Sequence, residues 1–172
     1  KLECSIKNHY NYIRENEIDK DLFVQIDSFH DLYSEKNKRF DDNETTEYVA
    51  EKLNDLSEEL NIPIWCTAEL RKLNGYRRPF KEDLKNANKL EYKAKLILML
   101  YNEVGLEQSN AEVYYRNPDK PGKQPVLEVN CDKNKLSSYK GSFYYEFIPE
   151  YAYFNEASRE DMERYDELVY QG

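Results

Sequence analysis

The stretch Leu22-Phe23-Val24-Gln25-Ile26-Asp27-Ser28-Phe29 constrains this chain more than any other. It is a short apolar run that contains an acid near its end. Phe23, Val24 and Ile26 are strand formers, and the run is too short for a buried helix. Apolar residues at nearly every position suit a parallel sheet covered on both faces. Asp27 then stands at the carboxyl edge of that sheet, where open α/β folds bind ligands. In nucleotide hydrolases an acid in this place helps to hold Mg²⁺ at the phosphates. A core strand whose aspartate caps a turn fits the run as well, so the flanking segments have to decide.

Residues 44–61 carry the clearest helical pattern. Val49, Leu53, Leu56 and Leu60 form one apolar stripe and the other faces are charged. Asn43 or Thr45 can cap the start, and Asn61 with Pro63 stops the helix. Ile62-Pro63-Ile64-Trp65-Cys66-Thr67-Ala68 then reads as a second buried strand. Strand, helix and strand joined by short links make a βαβ crossover, which implies parallel strands and a right-handed connection. Upstream, Leu2, Ile6, Tyr10 and Ile13 predict an amphipathic helix up to about residue 16, followed by a polar connection over 15–20. The charged stretch 34–43 holds Glu35, Lys36, Lys38, Arg39, Asp41 and Asp42. It lacks the spacing and central glycine of an oxygen-ligand loop and reads as solvated.

Residues 69–79 form a loop with the turn signal Asn74-Gly75. A helix over 81–92 and a third buried strand over 95–100 follow. Then the pattern changes. Residues 111–115 and 125–130 flank Asn117-Pro118 and Pro121-Gly122, which predicts a β-hairpin. Residues 142–147 alternate as a further strand, and 158–170 form a short acidic helix. The fold class is therefore α/β: a mostly parallel sheet flanked by helices, with a C-terminal hairpin and antiparallel edge strands. The expected organisation is one domain over 1–155 and a terminal helix over 156–172.

Charge is unevenly spread. The 172-residue chain has a formal net charge of -9, which repels a nucleic-acid backbone unless basic residues are gathered together. They are gathered between positions 71 and 95, where nine basic residues (Arg71, Lys72, Arg77, Arg78, Lys81, Lys85, Lys89, Lys93, Lys95) face three acids (Glu82, Asp83, Glu91). A smaller cluster is Lys133, Lys135 and Lys140. The first cluster directly follows a sheet strand, so it reads either as a solvated helix face or as a phosphate-binding loop. Cys4, Cys66 and Cys131 are far apart and odd in number, which points to a reduced protein without a disulfide framework or zinc site. No run approaches the roughly 20 apolar residues of a membrane span, and none of the segments reads as a signal peptide. The expected setting is the cytoplasm, with no membrane partner. A chain that begins with Lys1 fits a cut fragment or a cleaved product.

In their order and spacing, four of these segments resemble the second half of the ATPase domain of DnaB-type replicative helicases, a RecA-like fold. Val24-Gln25-Ile26-Asp27 with Leu32 resembles the family's Walker B strand. Arg39, the helix ending Leu56-Ser57-Glu58-Glu59-Leu60-Asn61, and Ile62-Pro63-Ile64 resemble its next helix and strand. Arg78-Pro79-Phe80-Lys81-Glu82-Asp83-Leu84-Lys85, with Glu91 and Ala94, resembles its Arg-Pro, Asp-Leu-Arg and Glu-x-x-Ala-Asp segment. Lys133-Asn134-Lys135 resembles its Lys-x-Arg hairpin. The resemblance implies ATP-driven translocation on single-stranded DNA by a ring of subunits, expected to be a hexamer, with ATP and Mg²⁺ as cofactors. It implies that Asp27 coordinates Mg²⁺ through water and that Glu69 occupies the γ-phosphate sensor position. Arg71, Lys72, Arg77, Arg78, Lys81 and Lys85 would belong to the loop facing DNA. Lys133 and Lys135 would reach a neighbour's nucleotide as an arginine finger does.

The departures are specific. The family's sensor is usually Gln, and a carboxylate at position 69 repels a γ-phosphate unless a cation intervenes. Lys135 in place of Arg lacks the bidentate fork. Leu136 to Lys140 intervene before Gly141, and the family's Ala-Asp is Ala94-Lys95. No GxxxxGK[ST] occurs, so the sequence holds no phosphate loop. This chain is therefore expected not to hydrolyse ATP alone, either because the first half lies upstream or because it is a degenerate relative. The second class of function is a non-enzymatic remnant that binds a partner protein through its acidic, tyrosine-rich surface.

The remaining candidates read as structural. His9 and His30 have no paired-ligand spacing and suit surface or capping roles. Asp27, Ser28 and His30 cannot form a triad, because adjacent strand side chains point to opposite faces. Cys66 reads as a small core residue. Trp65 and Tyr144, Tyr145, Tyr151 and Tyr153 suit packing more than base stacking, and Glu91 suits an ion pair.

Overall fold

The computed structural model describes residues 1–16, 19–32, 42–85 and 87–170, leaving aside the side chains of 42, 43 and 87–89. Most of the expected charged loop, including Arg39, lies outside the described residues, as do the side chains of Asp42, Asn43 and Lys89. The chain divides into two compact units. One comprises Lys1–Arg71 and Glu82–Ala94, the other Lys72–Lys81 and Lys95–Gly172. Among the described residues no helix is long and apolar enough to cross a membrane.

The first unit contains α1 (Leu2–Asn16), β1 (Val24–Ile26), α2 (Asp42–Leu60), β2 (Ile64–Cys66) and α3 (Ala87–Lys93). β1 and β2 pair in parallel, with Val24 opposite Ile64 and Ile26 opposite Cys66, as the βαβ reading requires. Leu56 and Leu60 of the α2 stripe pack with Ile6 of α1 and with Ile62, and Tyr10, Val24 and Ile64 close the cluster. A second cluster joins Val49 and Ala50 to Phe29. Helix α2 ends where Asn61 turns left-handed at φ 51. The Ile62 N–H then donates to the Ser57 carbonyl at 3.1 Å, and the Ser57 hydroxyl donates to the Ile62 carbonyl at 2.7 Å. This closes the orphan carbonyls of the last turn, and asparagine is the residue after glycine that best tolerates the conformation.

Two expectations are corrected here. Among the described residues, helices cover the parallel pair on one face only. Val24, Ile26, Ile62 and Ile64 face the helices, whereas Phe23 is 57% and Trp65 42% exposed, so Trp65 is not a core residue. The helix expected over 81–92 is broken into a 3₁₀ turn (Lys81–Asp83) and α3. Between them Leu84 forms an antiparallel bridge with Leu70, and that pairing is incompatible with a continuous helix.

The second unit contains β3 (Leu96–Tyr101), α4 (Glu103–Glu107), β4 (Tyr114–Tyr115), β5 (Gln124–Asn134), β6 (Gly141–Ile148), β7 (Tyr153–Glu156) and α5 (Arg159–Tyr170). The strand order is β3-β5-β6-β7, with β4 also on β5, and every pair is antiparallel. The expected mostly parallel sheet is thus a small parallel pair plus a larger antiparallel sheet. The cause is legible in β3, where Ile97, Met99 and Tyr101 are buried and Leu100 is exposed. A leucine-rich run reads alike whether one face or both are covered.

The hairpin forms as expected, with Tyr114 opposite Pro125 and Tyr115 opposite Gln124. Its turn is closed by the Lys120 N–H on the Asn117 carbonyl at 3.1 Å and by the Asp119 N–H on Asn117 Oδ1 at 2.9 Å. The short β7 was not expected. The core joins Val113, Tyr115, Val126 and Tyr144 of the strand region to Ala157 and to Tyr165 of α5. Tyr144 donates to Asp166 at 2.8 Å and Tyr165 to the Tyr114 carbonyl at 3.1 Å, so both buried phenols are satisfied. Ser158 caps α5 by accepting from the Asp161 N–H at 3.1 Å.

Candidate functional site

Asp27 follows the last residue of β1 and is exposed at the carboxyl end of the parallel pair. The register that sets Ile26 beside Cys66 sets Asp27 beside Thr67, and the Thr67 hydroxyl donates to Asp27 Oδ1. Main-chain bonds continue the pairing past both strands. The Thr67 N–H donates to the Ile26 carbonyl at 3.0 Å, and the Phe29 N–H to the Thr67 carbonyl at 2.8 Å. The chain then turns. Ser28 donates through its hydroxyl to Asp31 Oδ2 at 2.8 Å, which fixes the turn that carries His30.

His30 has a role that sequence reasoning missed. Its Nδ1 accepts the Glu69 N–H at 3.1 Å, and its Nε2 lies 3.0 Å from the Lys85 carbonyl. An amide can only donate and a carbonyl only accept, so the pair of contacts assigns the Nε2–H tautomer. The ring therefore joins two segments that also bond each other. The Lys85 N–H donates to the Glu69 carbonyl at 2.9 Å and the Arg71 N–H to the Asp83 carbonyl at 2.8 Å. Residues 69–71 and 83–85 thus form a short antiparallel ribbon. Two ion pairs lie along it: Lys85 Nζ to Glu69 Oε2 at 2.9 Å, and Arg71 to Asp83, whose side chain is 2% exposed, at 2.9 Å.

Lys72, Arg77, Arg78 and Lys81 lie in the second unit and are not spent alike. Lys72 is exposed. Arg77 is exposed, donates to the Arg78 carbonyl at 3.0 Å and lies over the Phe80 ring at 5.8 Å. Lys81 is half-buried, and its N–H donates to Asp132 at 2.6 Å. Arg78 has been drawn inward. Its Nε donates to Glu128 at 2.6 Å and its Nη2 to Glu103 at 2.9 Å, and its guanidinium stacks 5.0 Å over Tyr101. Both acids are buried, Glu128 at 2% and Glu103 at 6% exposure. Burial pushes the Glu128 carboxyl up, and Arg78 opposes it. Burial alone would lower the Arg78 pKa, but the two carboxylates raise it. Arg78 thus directs two of its nitrogens to carboxylates within the protein.

Lys133 lies on β5 opposite Ile97. Lys135 is exposed just beyond β5 and is anchored by its N–H to the Lys95 carbonyl at 2.8 Å. The Asn134 side chain orders the loop that follows, accepting from Leu136 N–H at 2.9 Å and from Ser137 N–H at 3.1 Å. Cys66 sits in β2, partly buried, and burial pushes its thiol up to about 11.

Among the described residues no group of three or more His, Cys, Asp or Glu could hold a metal ion. What the edge offers is one exposed carboxylate and one hydroxyl oxygen, a hard-donor pair. That set suits Mg²⁺ held largely through water and a substrate's phosphates, not in a protein cage. Thr67 was missed by sequence reasoning, although the register of two adjacent apolar runs would have found it. Glu103 and Glu128 were missed too; the signal at Glu128 is an acid on the inner face of an alternating strand.

Residues 4–156 match the family model of the DnaB-like helicase C terminal domain. The fold is similar to that in the structure of a DnaB-like replicative helicase and its interactions with primase, with a TM-score of 0.70 and 19% identity. That match covers 89% of this chain and 35% of the other. No curated protein matches the sequence.

Proposed function

We propose that this chain, which belongs to the DnaB-like helicase C-terminal domain family, is part of an ATP-driven replicative helicase that moves along single-stranded DNA in a ring of subunits. The supporting observation is the Asp27 carboxylate, exposed at the carboxyl end of a parallel strand and oriented by Thr67. That is where doubly wound sheets meet their ligands. In this reading Asp27 and Thr67 hold Mg²⁺ through water, and the metal would neutralise phosphate charge. The chain's own residues orient and bind. Thr67 fixes the carboxylate, His30 holds position 69 in place, and Lys72 and Arg77 meet DNA phosphates. Lys133 and Lys135 extend toward a neighbouring subunit's nucleotide. The Glu69 departure is met by Lys85, which is the intervening cation that a carboxylate at a phosphate sensor requires.

The sequence has no phosphate loop, so the purified 172-residue chain should show no ATP turnover above background. Robust turnover abolished by Asp27→Ala would overturn the assignment of roles. In a longer protein that contains this chain and a phosphate loop, Asp27→Ala should abolish ATP hydrolysis. Retained hydrolysis would show that Asp27 is only a turn residue.

The second reading, an inactive remnant that docks a partner protein, has one observation in its favour. Phe23 and Trp65 lie exposed on the uncovered face of the parallel pair. Sedimentation with and without nucleotide separates the two, since a helicase part assembles and a remnant does not.

A further inference from the structure

We propose that the Glu69–Lys85 ion pair is a gate for a phosphate-bearing anion, and that His30 is the positioning residue that keeps the gate in register. The source of the phosphate rests on the helicase reading above; the gate itself rests on the geometry of the first unit.

Opposed residues of an antiparallel ribbon place their side chains on one face, and residues two apart share that face. Glu69 with Lys85 and Arg71 with Asp83 are therefore neighbouring rungs, and Leu70 with Leu84 points the other way. Leu84 is buried, so the charged rungs are turned away from that contact. The two rungs differ in what holds them. Asp83 is nearly inaccessible, at 2% side-chain exposure, and separating it from Arg71 would take a cation away from a buried carboxylate. Glu69 and Lys85 are 51% and 50% exposed. Such a pair is screened by water and contributes little to stability, so it can exchange partners.

The exchange has a direction. Glu69 offers the Lys85 ammonium one carboxylate, whereas a phosphate chain carries more negative charge and more acceptor oxygens. It displaces Glu69, and the freed carboxylate turns to solvent. The backbone need not move, because the imidazole grips the Glu69 N–H and the Lys85 carbonyl at once. His30 also fastens the ribbon to the turn leaving Asp27. The Glu69 carboxylate is thus a latch: it keeps Lys85 occupied until a sufficiently charged ligand arrives.

The test uses the 172-residue chain, labelled for NMR, and two probes: inorganic tripolyphosphate and an oligothymidylate. On adding tripolyphosphate, the Lys85 Nζ and Glu69 carboxyl signals should move together while the Glu69 amide stays protected from exchange. Glu69→Gln should bind tripolyphosphate roughly fivefold more tightly, the scale of an exposed ion pair removed as competitor, and Lys85→Gln should lose binding. His30→Ala should expose the Glu69 amide and erase the gain of Glu69→Gln. His30→Gln, whose side chain also offers one acceptor and one donor, should restore both.

Equal affinity of Glu69→Gln and the unaltered chain would overturn the gate. An unchanged Glu69 amide in His30→Ala would overturn the role of His30. If tripolyphosphate moves Lys85, the phosphate of a nucleotide is the source; if only the oligothymidylate does, the source is a nucleic-acid backbone; if neither does, the gate is wrong. These outcomes are read without ATP turnover, so they fail separately from the helicase reading.

Discussion

Replacing Arg78 by alanine removes the positive charge that lies against both Glu103 and Glu128. Its nitrogens stand 2.9 Å and 2.6 Å from those carboxylates, whose side chains are 8% and 3% exposed. Arg78 itself is 28% exposed, so solvent screens the pairs only in part. Removing one partner of a buried ion pair typically costs about 3–5 kcal/mol, because the other charge is left stranded. Two carboxylates are stranded here, and the stacking on Tyr101 goes with them. Arg77→Ala is the control, since Arg77 is exposed and a surface substitution typically changes stability by no more than about 0.5 kcal/mol. Urea unfolding followed by circular dichroism reads the difference as a shift in midpoint at constant slope.

The pH dependence carries a sign that a mere packing defect would not. The folded Glu128 carboxyl is raised above its ordinary value by burial. Its contribution to stability is therefore greatest at low pH and is lost as pH rises through the folded pKa. Without Arg78 the carboxyl rises further. The deficit of Arg78→Ala should then be smaller at about pH 5 than at about pH 7.5. A variant as stable as the unaltered chain, or a deficit that grows on acidification, would refute the buried-triad account and return Arg78 to the surface.

Lys72→Glu together with Arg77→Glu should weaken oligonucleotide binding and flatten its salt dependence by about one unit of slope for each phosphate no longer neutralised; an unchanged slope removes both from the interface. Leu56→Ala should cost about 2–5 kcal/mol in urea unfolding, because Leu56 is 4% exposed where α1, α2 and the Ile62 segment meet; a loss below about 1 kcal/mol would place it at a site that collapses freely. In alkylation followed by mass spectrometry, exposed Cys4 should be modified first. Cys66, with its thiol pushed up to about 11, and buried Cys131 should lag, and rapid labelling of Cys66 would show that β2 opens.

What was legible in the sequence is what a repeat period reports. The stripe of α2 predicted which residues the helix buries, Leu56 and Leu60 with Ile6 and Val49 with Phe29, and the stop at Asn61 and Pro63 was readable from backbone preferences alone. The βαβ order gave the parallel pair, and with it the place of Asp27. What was not legible depends on partners distant in sequence. The count of basic residues between 71 and 95 treated Arg71, Arg78 and Lys85 as one surface. In the structure Arg71 backs a buried Asp83, Lys85 faces Glu69, and Arg78 lies between Glu103 and Glu128. A side chain's charge is a local property of sequence; what neutralises it is not.

Even so, one of those pairings had a trace. In Val126-Leu127-Glu128-Val129 the acid falls on the same strand face as Val126, and Val126 is 1% exposed. An acid on the inner face of an alternating strand must be neutralised, because a lone buried carboxylate is too costly to keep ionised. It therefore predicts a cation drawn inward from an exposed run, and so one fewer arginine on the basic surface. Burial of the acid, not the position of Arg78 in a basic stretch, decides what that arginine does.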